Sequence, residues 1–137
     1  MSSANQPVLV SEIMTSRVHT AEPNRPLTEI WQILVDERCH HVPIVEGDRP
    51  VGMVSTRDLI RVARKRGAPK ISEGLYGGET AGDVMSTSLE TIDAAESVET
   101  AIDRIGEGEF HALVVVDEEG GLAGIVTHHD LLDYLIS

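Results

Sequence analysis

Aromatic residues are nearly missing from this chain: one Trp, one Phe and two Tyr make up 3% of 137 residues. Aliphatic side chains must therefore fill any core. Cysteine is reduced to Cys39, which excludes an intramolecular disulfide and fits a reducing compartment. Positive charge is scarce too. Eleven Lys and Arg stand against 23 Asp and Glu, for a net charge of −12. A surface this acidic repels nucleic acid and anionic membrane as a whole, yet leaves room for a local basic pocket. No apolar run approaches the roughly 18 residues of a membrane span. The N-terminus shows no charged segment followed by an apolar one, as a secretory leader has. These absences lead us to expect a soluble, cytoplasmic protein with neither nucleic acid nor membrane as partner.

What the chain does have is a repeat. Sliding it by 71 residues places Met14 on Met85, Thr20 on Thr91, Leu27 on Val98 and His40 on His111. One inserted residue near Gly120–Gly121 makes the offset 72. Gly52 then falls on Gly124, Ser55 on Thr127 and Asp58 on Asp130. Each copy has roughly 55 residues, few for an independent core. Two copies packed face to face would share one. The expected organisation is a first repeat over 8–65, a Gly- and Pro-bearing linker over 66–79 and a second repeat over 80–137, with residues 1–7 as a loose tail.

Within each copy the spacing predicts a short strand at Val18–Thr20 or Leu89–Ile92, then a helix. Leu27, Ile30, Trp31, Leu34 and Val35 recur at helical spacing and form one apolar stripe. Val98, Ala101, Ile102 and Ile105 repeat it, with Ser97 as N-cap. The β-branched runs HVPIVE and HALVVVDE predict buried strands, each followed by a turn and another strand, VGMVS or LAGIVT. A second helix follows, carrying Leu59, Ile60, Val62 and Ala63 or Leu131, Leu132 and Leu135. The order is β-α-β-β-α, twice, an α/β (α+β) fold. Thr80 with Asp83 caps a helical turn before Met85.

The segments SEIMTS with AGDVMS, HHVPIVE with HALVVVDE, and VGMVSTRDLI with AGIVTHHDLL resemble the CBS domain, whose tandem pair is a Bateman module. The resemblance covers nearly the whole chain. It implies two units packed through their sheets about a pseudo-two-fold axis, with two equivalent clefts for adenosine compounds. AMP, ADP or ATP are the expected ligands, S-adenosylmethionine or NAD the alternatives; no cofactor is required. It also implies a regulatory rather than catalytic role, occupancy being passed to an associated enzyme or transporter, and a homodimer. No nucleophile–base pair or metal constellation stands out, so no enzyme is expected.

The stretches GMVSTRD and GIVTHHD carry the sharpest question. Read locally, each is a strand entering a helix, with Ser55 and Asp58, or Thr127 and Asp130, as a capping box. The resemblance adds that Asp58 and Asp130 hold riboses, a carboxylate accepting from two adjacent hydroxyls, and that Ser55 and Thr127 reach phosphate at a helix N-terminus. Arg57 is a further phosphate partner. His40, His41, His111, His128 and His129 cluster near the proposed clefts. HHVP and FHALV resemble the HRLP and HRLV stretches of AMP-activated kinase γ subunits, with His41 where an Arg stands and Ala112 without a basic group. The alternative is that these histidines are half-exposed and bonded to water. Adjacent histidines on a strand point to opposite faces, so HH by itself makes no metal site.

The family's adenine slot maps to Val18, Thr20, Ala21 and Val42 in one copy and Leu89, Thr91, Ile92 and Leu113 in the other, most of them core positions in any case. Pro43 stands where the second copy has Val114, which opens the way to unequal sites. RVARKRGAPK, residues 61–70, reads as a solvated helix end with cations near its C-terminus, with nucleic-acid contact as the alternative; it also suits ligand phosphate or a partner's acidic patch. Trp31 suits core or a dimer interface, Met14 and Met85 suit packing, and Cys39 lacks a paired base. The rival functional reading is a constitutive assembly module with empty clefts.

Overall fold

The computed structural model describes residues 6–67, 70, 75, 77–107 and 112–137; much of the expected tail and linker, and His111, lie outside these. The chain is mixed α+β with two small sheets. Its elements run α1 (Val10–Ile13), α2 (Leu27–Asp36), β1 (His41–Glu46), β2 (Arg49–Ser55), α3 (Thr56–Lys65), α4 (Ala81–Val84), β3 (Thr91–Asp93), α5 (Val98–Glu107), β4 (Ala112–Val116), β5 (Leu122–Thr127) and α6 (His128–Ile136). They divide into a middle unit, His19–Leu89, and a flanking unit built from the described parts of Met1–Val18 and Glu90–Ser137.

The two hairpins are repeats of each other in detail. β1 pairs antiparallel with β2, and β4 with β5. A register shift falls between Ile44 and Val45 in one and between Val115 and Val116 in the other, at equivalent positions. Gly47, at φ +67, makes the tight turn between β1 and β2 that a Cβ would strain. Beyond the hairpins the sheets differ. In the flanking unit β3 adds to β4 as a parallel third strand, and the Val114 N–H donates to the Glu90 carbonyl at 2.9 Å. The matching donor in the middle unit is missing because residue 43 is Pro. The strand expected at Val18–Thr20 is accordingly absent, and pairing there shrinks to one bridge, Ala21 with Ile44. The second expected strand forms slightly later, at Thr91–Asp93.

Each unit holds its own cluster of buried side chains. Leu27, Ile30, Leu34, Val42, Ile44, Val54 and Leu59 fill the middle unit. Ile92, Val98, Ala101, Leu113, Val115, Val126 and Leu131 fill the other. Each fully buried Leu, Ile or Val contributes about 1.5–3 kcal/mol. An exchange completes both clusters. α4, which precedes the second repeat, seats Ala81 in the core of the middle unit, while α1, which precedes the first, seats Val10 in the flanking core. Backbone bonds fix both: Ala81 N–H to Arg25 O at 2.8 Å, and Val10 N–H to Glu96 O at 2.8 Å.

The apolar stripes are narrower than their sequences suggest. Leu27, Ile30 and Leu34 are buried and Trp31 partly so, but Val35 is exposed. Leu59 and Ala63 of α3 and Leu131 of α6 point inward, whereas Ile60, Leu132 and Leu135 face solvent. α3 ends as its sequence prescribes, with Arg64 and Lys65 in the last turn and Gly67 beyond it at φ +69.

Candidate functional site

β2 runs straight into α3 and β5 straight into α6, so a Ser or Thr at the end of a strand becomes the N-cap of a helix. At the α3 corner, Asp58 Oδ2 accepts from the Ser55 amide at 2.8 Å and the Ser55 hydroxyl at 3.0 Å, while the Asp58 amide donates back to Ser55 Oγ at 3.3 Å. At the α6 corner, Asp130 Oδ2 accepts from the Thr127 amide at 2.9 Å and the Thr127 hydroxyl at 3.3 Å. The local reading of both motifs is therefore correct: each is a helix-capping pair.

Capping occupies one oxygen of each carboxylate. The other, Oδ1, points away from the cap and meets a different neighbour in each unit. Asp58 Oδ1 faces the Arg61 guanidinium at 3.5 Å, a long and mostly exposed contact. Asp130 Oδ1 accepts from the Thr15 hydroxyl at 3.0 Å. Both neighbours were missed from sequence. Arg61 carries a signal, lying three residues past Asp58 on a helix. Thr15, 115 residues from Asp130, carries none. Asp130 also lines an open depression of about 270 Å³ with Ile13, Asp133, Tyr134 and Ser137.

The glycine of each motif has a packing cause. A Cβ on Gly52 would lie 2.3 Å from the Met85 sulfur, and one on Gly124 would lie 2.7 Å from both the Met14 sulfur and the Thr15 carbonyl oxygen. Each hairpin needs this gap because the segment after a short exchanged helix lies on it. Met53 and Ser86 exchange backbone bonds at 3.0 and 2.9 Å, as do Thr15 and Ile125 at 2.9 and 3.0 Å. Met14 and Met85 are packing residues, as expected.

The structure gathers several predicted residues at the α3 corner. His41 pairs across the hairpin with Ser55, and the His40 carbonyl accepts from the Thr56 amide at 3.0 Å. Arg57 is exposed in the first turn of α3. At the α6 corner, Ala112 pairs with Thr127, and His128 and His129 are exposed in the first turn. The adenine-slot candidates divide. Val42, Leu113 and Ile92 are sealed inside the cores and Ala21 nearly so, while Thr20 and Thr91 are exposed and Val18 and Leu89 half-buried. Val18 belongs to the flanking unit and Leu89 to the middle one. Cys39 is half-buried, and desolvation raises its thiol above the usual pKa, away from the reactive thiolate. Among the described residues, no group of three or more His, Cys, Asp or Glu could hold a metal ion, and no helix is long and apolar enough to cross a membrane.

The repeat as a whole matches a known protein family. The CBS domain family model matches residues 10–65 and 81–137. The chloroplastic CBS domain-containing protein CBSX1 of Arabidopsis thaliana is 24% identical over 90% of this chain and 62% of its own length. The protein MK0525 of Methanopyrus kandleri is 30% identical over 95% of this chain and 65% of its own. The chain thus spans just under two thirds of either relative. The crystal structure of CBSX2 from A. thaliana in complex with AMP matches with a TM-score of 0.80 at 26% identity, covering 94% of this chain and 96% of that one. With two copies of the domain filling most of its length, this chain belongs to the CBS domain family.

Proposed function

We propose that the chain is a regulatory module that binds adenosine-containing ligands, of the AMP, ADP or ATP type, at its two capped corners. Asp58 and Asp130 take the riboses. The carrying observation is the division of labour within each carboxylate: Oδ2 is held by the helix cap, and Oδ1 keeps acceptor capacity outward. A carboxylate offers about four lone-pair sites, of which the cap uses two. Capping therefore does not compete with ribose binding but fixes the carboxylate for it. Oδ1 meets Arg61 in one unit and Thr15 in the other. The amides at the start of α3 and α6 favour a phosphate, with Arg57, His40 and His41 as donors at one corner and His128 and His129 at the other. The AMP complex of CBSX2 supports this reading. Occupancy shifts the equilibrium between conformations that a partner enzyme or transporter senses.

One observation favours the rival, a constitutive assembly module. Ser55 and Thr127 already give their hydroxyl hydrogens to their own aspartates, so each must break a cap bond to donate to phosphate. Calorimetry with AMP, ADP, ATP, S-adenosylmethionine and NAD separates the two. We expect binding of an adenine nucleotide, and a native state stabilised by about 2.7 kcal/mol at 100 times Kd. Asp58→Asn and Asp130→Asn keep a capping oxygen but replace Oδ1 with a donor, and should each weaken one site about ten-fold or more. No heat and no thermal shift with any of the five would leave the assembly reading standing.

A further inference from the structure

Both short exchanged helices end on a methionine whose sulfur lies against a glycine. Met14 closes α1 and Met85 closes α4. A Cβ on Gly124 or Gly52 would fall under 3.0 Å from the sulfur of Met14 or Met85, so each thioether rests directly on hairpin backbone. The repeat makes the two methionines equivalent, and the two glycines as well. Each methionine also packs against the core of its own unit. Yet neither is sealed: both are half-buried. The residue after each one ties the exchanged segment to the hairpin through paired backbone bonds, Ser86 with Met53 and Thr15 with Ile125. Those four amides are spent on one another, so they offer no donor to a new polar group at the sulfur.

From this repeated contact we propose that Met14 and Met85 are a pair of peroxide-responsive modification sites. The thioether lone pair attacks one oxygen of hydrogen peroxide. The O–O bond breaks and an S–O bond forms. The second oxygen leaves as hydroxide and takes the proton of the first, giving water; sulfur loses two electrons and peroxide gains them. The sulfoxide is polar, and keeping it buried without a hydrogen bond is costly. Against the glycine it finds no donor, so the oxidised side chain turns out of the gap. Thr15 and Ser86, next in the chain, loosen with it. In the flanking unit Thr15 carries the hydroxyl bonded to Asp130, so the change reaches the capped corner. Methionine sulfoxide reductases restore the thioether, which makes the modification reversible. Two other sulfurs are differently placed. Met53 is half-buried but packs against neither core among the described residues, and the Cys39 thiol is held away from its reactive thiolate. The proposal does not depend on nucleotide binding.

Peptide mass spectrometry combined with hydrogen exchange reads it out, on the full chain treated with hydrogen peroxide and then quenched. Sulfoxide should appear at Met14 and Met85. The amides of Thr15, Ile125, Met53 and Ser86 should then exchange at least about ten-fold faster, and the melting midpoint should fall by about 4 °C or more. Treatment with the reductases should reverse both changes. A double variant, Met14→Leu with Met85→Leu, fills the same gaps without an oxidisable sulfur. It keeps Met53 and Cys39, and should hold its exchange rates in peroxide. Should the pair fold poorly, the single variants serve, each protecting only its own hairpin. Thioethers that stay unoxidised in the folded chain overturn the proposal, as does sulfoxide formed with no faster exchange at these four amides. So does a leucine variant that loosens as much as the natural chain, which assigns the effect to Met53 or Cys39.

Discussion

The middle and flanking units share a hairpin, a register shift, a glycine gap and a capped aspartate, yet they differ where one residue type changes. At β1 the third position is Pro43; at β4 it is Val114. The valine N–H holds Glu90 and recruits β3, whereas the proline offers no donor and leaves a single bridge. The aspartate surroundings differ as well: Asp58 has an arginine within reach and Asp130 a threonine hydroxyl. A duplicated sequence thus yields duplicated backbone wherever main-chain hydrogen bonding is preserved, and diverges where one donor is lost or one charge is changed.

Breaking that comparison at its strongest point should have the largest effect. Val114→Pro places proline in the central strand of a three-stranded sheet, costing a ladder bond and leaving a carbonyl unpaired. We expect a loss of at least about 2 kcal/mol in urea unfolding. The converse, Pro43→Val, should change stability by under about 1 kcal/mol and give residue 43 an amide protected against hydrogen exchange. The glycines come next. Gly124→Ala drives a methyl against the Thr15 carbonyl as well as Met14, and should cost about 1–3 kcal/mol. Gly52→Ala meets only the flexible Met85 side chain and should cost less. Equal losses at the two glycines would show that the backbone carbonyl is not the obstacle.

Removing one cap should have a smaller effect. Ser55→Ala takes away the acceptor for the Asp58 amide and should destabilise by about 1 kcal/mol. The α6 corner lacks that reciprocal bond at hydrogen-bond geometry, so Thr127→Ala should cost less.

The smallest effect is an acid one in the middle unit. Its Arg66 guanidinium hydrogen-bonds Glu79 and lowers that carboxyl below its ordinary 4.5. A depressed folded-state pKa stabilises the fold above the unfolded value, and the contribution is lost as pH falls through the folded one. Unfolding measured from pH 6 downward should show Glu79→Gln losing part of the natural chain's acid dependence below about pH 4.5.

Much of this was legible locally. The stripe in α2, the alternation into hairpins, and the Ser97 and Thr80–Asp83 caps follow from side chains within a turn or two of one another. The capping of Ser55 by Asp58 was equally plain. α1 was harder to see, since Leu9 is no capping residue and its amide is held by the Glu12 side chain; only its repeat partner Thr80–Asp83 signals it. Long-range facts were not legible. Which hairpin a short helix seats on, and that Thr15 meets Asp130, depend on neighbours that no local period encodes. Pro43 was visible, but its consequence required knowing that the missing donor faced a would-be third strand. Val35, Ile60 and Leu132 sit at stripe edges, where helical spacing cannot tell core from solvent.

The swapped short helices have a further consequence for how such a chain can be divided. Cutting it between the repeats leaves each half holding the other's keystone, with Val10 stranded on one piece and Ala81 on the other. Neither half can complete its own packing from local sequence, so the halves must travel together or find each other as fragments. What looks in sequence like one module written twice is, in folding, one indivisible piece.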